Sequence, residues 1–226
     1  MTSTGSRDSD LDALKDFAHM VWGNSQAVLK QHPGGFEFID LGAYFPAFQS
    51  FFAGKLIHDK LLVRNEYRMT LEALETNTYK AGAYVTGQPG IGESRTTFGA
   101  PVDTCLFLSG KTIFLMYLIV LRLGKRKPVA VQSLDGDFFY AFFTDTVGFW
   151  ALNDSTPLKD CPSVWALCDS NKAVESPAGF FKGRQGVRII QTTPPKASRW
   201  KEWSKQVGAQ PYIMDIWSEE EVVHLA

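Results

Sequence analysis

Residues 81–92 read Ala-Gly-Ala-Tyr-Val-Thr-Gly-Gln-Pro-Gly-Ile-Gly, a short apolar strand running into a glycine-rich turn. Gly87 and Gly92 stand at the spacing of the two glycines in G-x-x-x-x-G-K-[ST], the loop that wraps nucleotide phosphates. The Lys-Thr that should follow comes 18 residues later, as Lys111-Thr112, and leads directly into an apolar run ending at Leu123. Without residues 93–110 the chain reads Gly87-Gln88-Pro89-Gly90-Ile91-Gly92-Lys111-Thr112, a whole Walker A motif between a strand and an amphipathic helix. A strand, a phosphate turn and a helix in that order commit a chain to an α/β sheet.

The chemistry explains why the interruption matters. Backbone N–H groups of such a loop wrap the phosphates, and glycines permit approaches that a Cβ would block. The lysine neutralises β/γ-phosphate charge, the threonine hydroxyl holds Mg²⁺, and the helix adds its N-terminal dipole. On this reading Gly87, Gln88, Pro89, Gly90, Ile91, Gly92, Lys111 and Thr112 form the ATP cradle. Lys111 also serves catalysis, and Thr112 also serves the metal. Cys105 stands where an uninterrupted motif ending at Lys111 would need its first glycine, so residues 105–112 offer no replacement loop.

The inserted segment reads as translated intron. Its 18 residues correspond to about 54 nucleotides, a short fungal intron length. Gly92-Glu93-Ser94 can be encoded with the donor GTGAGT, Ser109-Gly110 with the acceptor CAG, and Val102-Asp103 with the branch-like TTGAC. The alternatives are a genuine insertion loop, or a turn and a Gly-Lys-Thr that are unrelated. Residues 93–110 are expected to leave the body of the fold as a loop, with at most a short strand at Thr104–Leu108.

At 226 residues the chain is long enough for one α/β domain with additional structure. A net charge of −1 carries no polyanion-binding signature. Cys105, Cys161 and Cys168 make neither a disulfide framework nor a metal cluster, which points to reduced thiols and an intracellular setting, cytoplasmic or nuclear. No window reaches the length of a membrane-spanning helix. His19, His32, His58 and His224 show no metal-ligand spacing.

Residues 1–10 are polar and read as a disordered tail. Residues 11–80 read as a helical N-terminal region, with helices over Leu11–Trp22 and Leu61–Leu74 and an aromatic-rich stretch at 36–54 that belongs to a core. From residue 81 strands alternate with helices. Strands are expected at 83–86, 128–132, 164–168, 187–192 and 211–214, helices at 111–123 and 198–207, and a hairpin around Asp145-Thr146. This pattern gives residues 81–226 a three-layer α/β fold with a mainly parallel sheet, of the P-loop NTPase kind. The chain stops on Glu219-Glu220-Glu221-Val222-Val223, which reads as the start of a further helix and suggests a truncated C-terminus.

An apolar run closed by an acid is the Walker B pattern, and Val164–Cys168 followed by Asp169 fits it. Asp169 would lie at the carboxyl end of its strand, as a Mg²⁺ ligand and catalytic residue. Ser170 and Asn171 follow and could position water. Thr192 or Thr193, ending the strand that starts at 187, could read the γ-phosphate, and Arg199 could add a second charge. A strand-ending turn and a solvated arginine are the stronger reading of those residues.

The strings Tyr-Val-Thr-Gly-Gln-Pro-Gly-Ile-Gly, Lys-Thr-Ile-Phe-Leu-Met-Tyr-Leu, Trp165-Ala166-Leu167-Cys168-Asp169-Ser170-Asn171 and Arg199-Trp200-Lys201-Glu202-Trp203 resemble large fungal families of P-loop NTPases. Over residues 80–218 the chain is similar to the NTPase module of Crinkler-type proteins and their relatives in the AAA/STAND group. The resemblance implies ATP and Mg²⁺ as ligands, hydrolysis at the family level, and coupling to a protein partner or downstream effector domain. The interruption departs from the family pattern. It leaves open a second reading, a non-catalytic interaction fragment that keeps the fold without the nucleotide. A small-molecule kinase is a third, disfavoured because no acceptor-binding Asp/Arg motif is evident.

Overall fold

A computed structural model describes residues 4–52, 56, 58–76, 82–87, 110–133, 138–143, 146–151, 158, 161, 163–171, 174–182, 186–215 and 218. Its centre is a sheet of seven strands: β4 (Gly82–Gly87), β5 (Val129–Gln132), β6 (Phe138–Phe143), β7 (Thr146–Ala151), β8 (Val164–Asp169), β9 (Val187–Thr192) and β10 (Gln210–Met214). Their order is β10-β4-β9-β8-β5-β6-β7. The first five are mutually parallel, and β6 and β7 continue the sheet as an antiparallel hairpin. Strands β5, β8 and β9 are buried at every position, which explains the apolar runs Val129–Val131 and Val164–Cys168: a parallel strand covered on both faces has no polar side to alternate with, and the polar residues of β9, Arg188, Gln191 and Thr192, are buried too. The expected α/β class and mainly parallel sheet are present.

Alternate residues of these strands feed two separate cores. Ala83, Val85, Val129, Val131, Trp165, Leu167, Ile190 and Met214 face one side, under α4 (Lys111–Gly124). Tyr84, Ala130, Val164, Ala166, Cys168 and Ile189 face the other, under Phe181 of α5 (Gly179–Lys182) and Trp203 of α6 (Lys201–Val207). Helix α4 is apolar nearly all round, as a helix enclosed between the sheet and other helices must be. Its last residue, Gly124, lies so close to Ser25 that an added Cβ would stand 2.6 Å from the serine Cβ. Helix α6 stops at Gly208, whose φ of +65° favours a residue without Cβ.

The N-terminal region supplies α1 (Thr4–Val21), α2 (Phe45–Phe51) and α3 (Asn65–Thr76) to the first face. It is not purely helical. Strands β1 (Leu29–Gln31), β2 (Glu37–Asp40) and β3 (Lys60–Val63) form a small antiparallel sheet, so the expected helix over 61–74 is a strand, a break at Arg64 and a helix from Asn65. Helix α1 begins at Thr4, inside the stretch expected as a tail. The expected helix over 198–207 is a 3-10 turn at Ala197–Arg199 followed by α6. Phe48, Phe51 and Phe52 are buried, placing the aromatic stretch in the core. No described helix is long and apolar enough to cross a membrane.

The order of connections reverses direction between β4 and β9. The chain leaves β4 through α4 on one face and reaches β5, three places away. It leaves β9, the neighbour of β4, through α6 on the opposite face and reaches β10 on the far side of β4. Adjacent strands whose connections diverge leave a space beyond their carboxyl ends, where open α/β sheets bind ligands.

Candidate functional site

Asp169 closes β8 at that edge of the sheet. It is only 6% exposed, and each of its carboxylate oxygens accepts a hydroxyl hydrogen bond. Thr112 Oγ1, in the first turn of α4, donates to Oδ2 at 2.9 Å. Thr192 Oγ1, the last residue of β9, donates to Oδ1 at 2.9 Å. The register makes this possible: Asp169, Thr192 and Val85 lie level across β8, β9 and β4. Gly87 stands two residues beyond that level, roughly 7 Å further toward the carboxyl edge at the rise of an extended chain.

Helix α4 points its N-terminus at the same edge. The Thr112–Asp169 bond fixes that end, and Arg122 fixes the other by donating to Ser163 O at 2.5 Å and Pro128 O at 3.2 Å, at the opposite edge of the sheet. The N–H groups of the first turn therefore face the edge that carries Asp169, with the positive end of the helix dipole behind them. The Arg122 guanidinium also lies 4.6 Å from the Trp165 ring, and burial lowers it to about 10, still protonated at neutral pH.

The residue before Lys111 has an unexpected partner. Gly110 is fully extended, φ 172° and ψ −174°, which puts its N–H and C=O on the same side. One hydroxyl meets both: Gly110 N donates to Tyr67 Oη at 2.7 Å, and Tyr67 Oη donates to Gly110 O at 3.0 Å. Tyr67 is completely buried in α3 and packs against the rings of Phe114 and Tyr117. Helix α3 is tied along its length. Arg64, just before it, donates to Asp215 O at 3.2 Å, and Glu75 pairs with Lys125, the residue that caps the C-terminus of α4, at 2.6 Å. Its carbonyls at Ala73 and Leu74 accept from Tyr212 Oη and the Arg188 guanidinium.

On the other face a polar network holds the segment after β8. Gln132 Oε1 accepts from Ala178 N at 2.9 Å and from Cys168 Sγ at 3.4 Å. Gln191 Nε2 donates to Glu175 O at 3.0 Å, while its Oε1 accepts from Trp203 Nε1 at 2.6 Å. Arg199 donates to Asn171 O at 2.8 Å and Ser170 Oγ at 3.3 Å. Burial, with the Asp169 charge adding to it, raises the Cys168 pKa far above the usual thiol range, so this sulfur is an inert proton donor. Burial likewise raises the Cys161 thiol, with Arg122 opposing it.

Of the residues singled out by sequence, Gly87, Lys111, Thr112 and Asp169 come to one edge of the sheet. Gln88, Pro89, Gly90, Ile91 and Gly92 lie outside the described residues, as do residues 93–109. Thr192, one of two candidates for a phosphate-sensing tip, donates its hydroxyl to Asp169. Thr193 is buried, with its N–H on Val85 O and its hydroxyl on Pro194 O. Arg199 braces Ser170 and Asn171. Among the described residues, no group of three or more His, Cys, Asp or Glu side chains could hold a metal. Sequence reasoning missed Tyr67, whose partner lies 43 residues away and belongs to no motif.

No protein-family model matches the chain, and no curated protein matches it.

Proposed function

We propose that this chain is a P-loop NTPase module of the Crinkler-type or AAA/STAND kind, taking ATP–Mg²⁺ at the carboxyl ends of β4, β8 and β9. The observation that supports this most is the hydrogen bond from Thr112 to Asp169, which joins the Ser/Thr of the split Walker A sequence to the acid of the Walker B sequence. The two residues were singled out by separate motifs. A hydroxyl that gives its proton to Asp169 keeps its lone pairs for a cation. Thr112 and Asp169 thus offer Mg²⁺ hard oxygen ligands. Bound there, Mg²⁺ would neutralise charge on the β- and γ-phosphates. Lys111, at the N-terminus of α4, adds a fixed positive charge to the helix dipole. Thr192 orients the carboxylate from its other oxygen. The glycine-rich segment 87–92 would supply the cradle, and residues 93–110 separate it from its lysine.

A second reading is favoured by one observation. The strands and helices on both sides of the break are in place although the motif is interrupted, and the amide before Lys111 is already occupied by Tyr67. A chain in that condition keeps the fold as an interaction surface without the nucleotide. Thermal unfolding with and without MgATP separates the two. A ligand at a hundredfold excess over its Kd stabilises by about 2.7 kcal/mol. A rise that disappears in Lys111→Ala supports the nucleotide site, and identical curves with and without MgATP support the interaction fragment.

A further inference from the structure

We propose that the outer face of α3, with the cavity it shares with α4, is a docking surface for a partner protein that inserts an arginine side chain. A cavity of about 480 Å³ opens between the two helices, lined by Arg68, Leu71, Glu72, Glu75, Thr76 and Tyr117. Leu71 and Tyr117 are buried and give it an apolar, aromatic floor, while Glu72 and Thr76 stand exposed at its rim. The charges around it do not balance. Arg68 is held by Glu37 at 2.8 Å, and Lys125 by Glu75 at 2.6 Å. The Glu72 carboxylate has no ion-pair partner among the described residues, so three carboxylates stand against two cations.

An arginine side chain matches that arrangement. Its methylene stem lies along apolar surface while its charged head stays in contact with water. The guanidinium stacks on aromatic rings and pairs with a carboxylate through two parallel N–H bonds. Leu71 and Tyr117 offer the apolar and aromatic contacts, and Glu72 offers the carboxylate. Beside the cavity Met69 is 58% exposed, and among the described residues Ile213 is the one other large apolar side chain so placed. Met69 precedes Glu72 by three residues, so the two are neighbours on the surface of α3. Asn65 Nδ2 donates to Met69 Sδ at 3.7 Å and orients the thioether. An exposed methionine adapts to an apolar neighbour, and a polypeptide brings such a neighbour along with its arginine, whereas a free small cation does not. The surface uses neither Lys111 nor Asp169, so it stands whether or not the carboxyl edge of the sheet takes a nucleotide.

The test uses the full chain with ¹³C-methyl-labelled methionine and the blocked tripeptide acetyl-Leu-Arg-Leu amide, added to millimolar concentration at low salt. The Met69 methyl resonance, assigned by its loss in Met69→Leu, should move as the peptide is added. The same peptide with citrulline in place of arginine keeps the shape and loses the charge, and should leave the resonance still. Glu72→Gln should weaken binding by about two- to fivefold, the range of one exposed ion pair. Glu66→Gln removes an acid of the same helix that does not line the cavity, and should leave the affinity unchanged. Both substitutions exchange a carboxylate that is not buried for an amide of the same shape, so the fold is kept. A Met69 resonance that does not move, a citrulline peptide that binds as well as the arginine peptide, or a Glu72→Gln protein that loses no more than Glu66→Gln overturns the proposal. None of these outcomes involves MgATP, so each leaves the nucleotide reading where it stands.

Discussion

Thr112 and Asp169, separated by 57 residues in the chain, meet through a 2.9 Å hydrogen bond that ties the first turn of α4 to the end of β8. With Thr192 on the other oxygen, the carboxylate is held by two hydroxyls from two elements. Thr112→Ala should therefore cost about 0.5–1.5 kcal/mol of stability, and Thr112→Ser much less. Asp169→Asn replaces one accepting oxygen with a donor NH₂ and leaves one threonine facing it, costing about 1–3 kcal/mol. Urea unfolding of the three single variants and of the double variant Thr112→Ala with Asp169→Asn checks this. The pair should show a coupling energy, because residues in one network are not additive.

The bond between Trp203 Nε1 and Gln191 Oε1, 2.6 Å long and buried, anchors α6 to β9. Trp203→Phe would leave the Gln191 oxygen buried without that donor and create a void under the sheet. A loss of about 2–4 kcal/mol is expected from the two effects together. Trp203→Phe combined with Gln191→Leu should recover part of it, since replacing both polar partners with apolar groups removes the orphan. Denaturation midpoints of the three proteins test the prediction, and a double variant no better than the single one would count against it.

Burial pushes the Tyr117 phenol up to about 12, with Glu37 and then Glu75 adding to the rise and Arg68 opposing it. The ordinary value is about 10. Because the folded value is raised, the stability associated with this proton is complete below about pH 10 and is lost as pH climbs toward 12. Melting temperature should fall across that window. Tyr117→Phe should flatten the fall, and the comparison between the two proteins cancels the contributions of other groups. Parallel curves for the two proteins would contradict the assignment.

The parallel core was legible because its chemistry is local. Val164–Cys168 is apolar at every position, as a doubly covered strand must be, and the run from Ile113 to Leu123 is too long for a strand in a sheet of this size. The N-terminal sheet was not legible. Leu61, Leu62 and Val63 precede Tyr67, Leu71 and Leu74 so closely that one helical period covers both, hiding the strand-to-helix break at Arg64. Strands β1 to β3 are three or four residues long, too short to show alternation. Within the site, Lys111, Thr112 and Asp169 were readable from motifs. Tyr67 was not, because its bond to Gly110 is created only when α3 packs on α4. Thr192 was readable as a polar strand end, while its partner depended on the register of β8 against β9.

The most direct test of the account compares the chain as it stands, the chain lacking residues 93–110, and that shortened chain carrying Lys111→Ala. Each is titrated with a fluorescent ATP analogue in Mg²⁺. Rejoining the cradle to its lysine restores several charge-assisted hydrogen bonds, each worth about 1.5–3 kcal/mol, so the shortened chain should bind about a thousandfold more tightly than the full one. Lys111→Ala should remove most of that gain. Equal affinity in all three proteins would contradict the assignment of the split sequence as a nucleotide site.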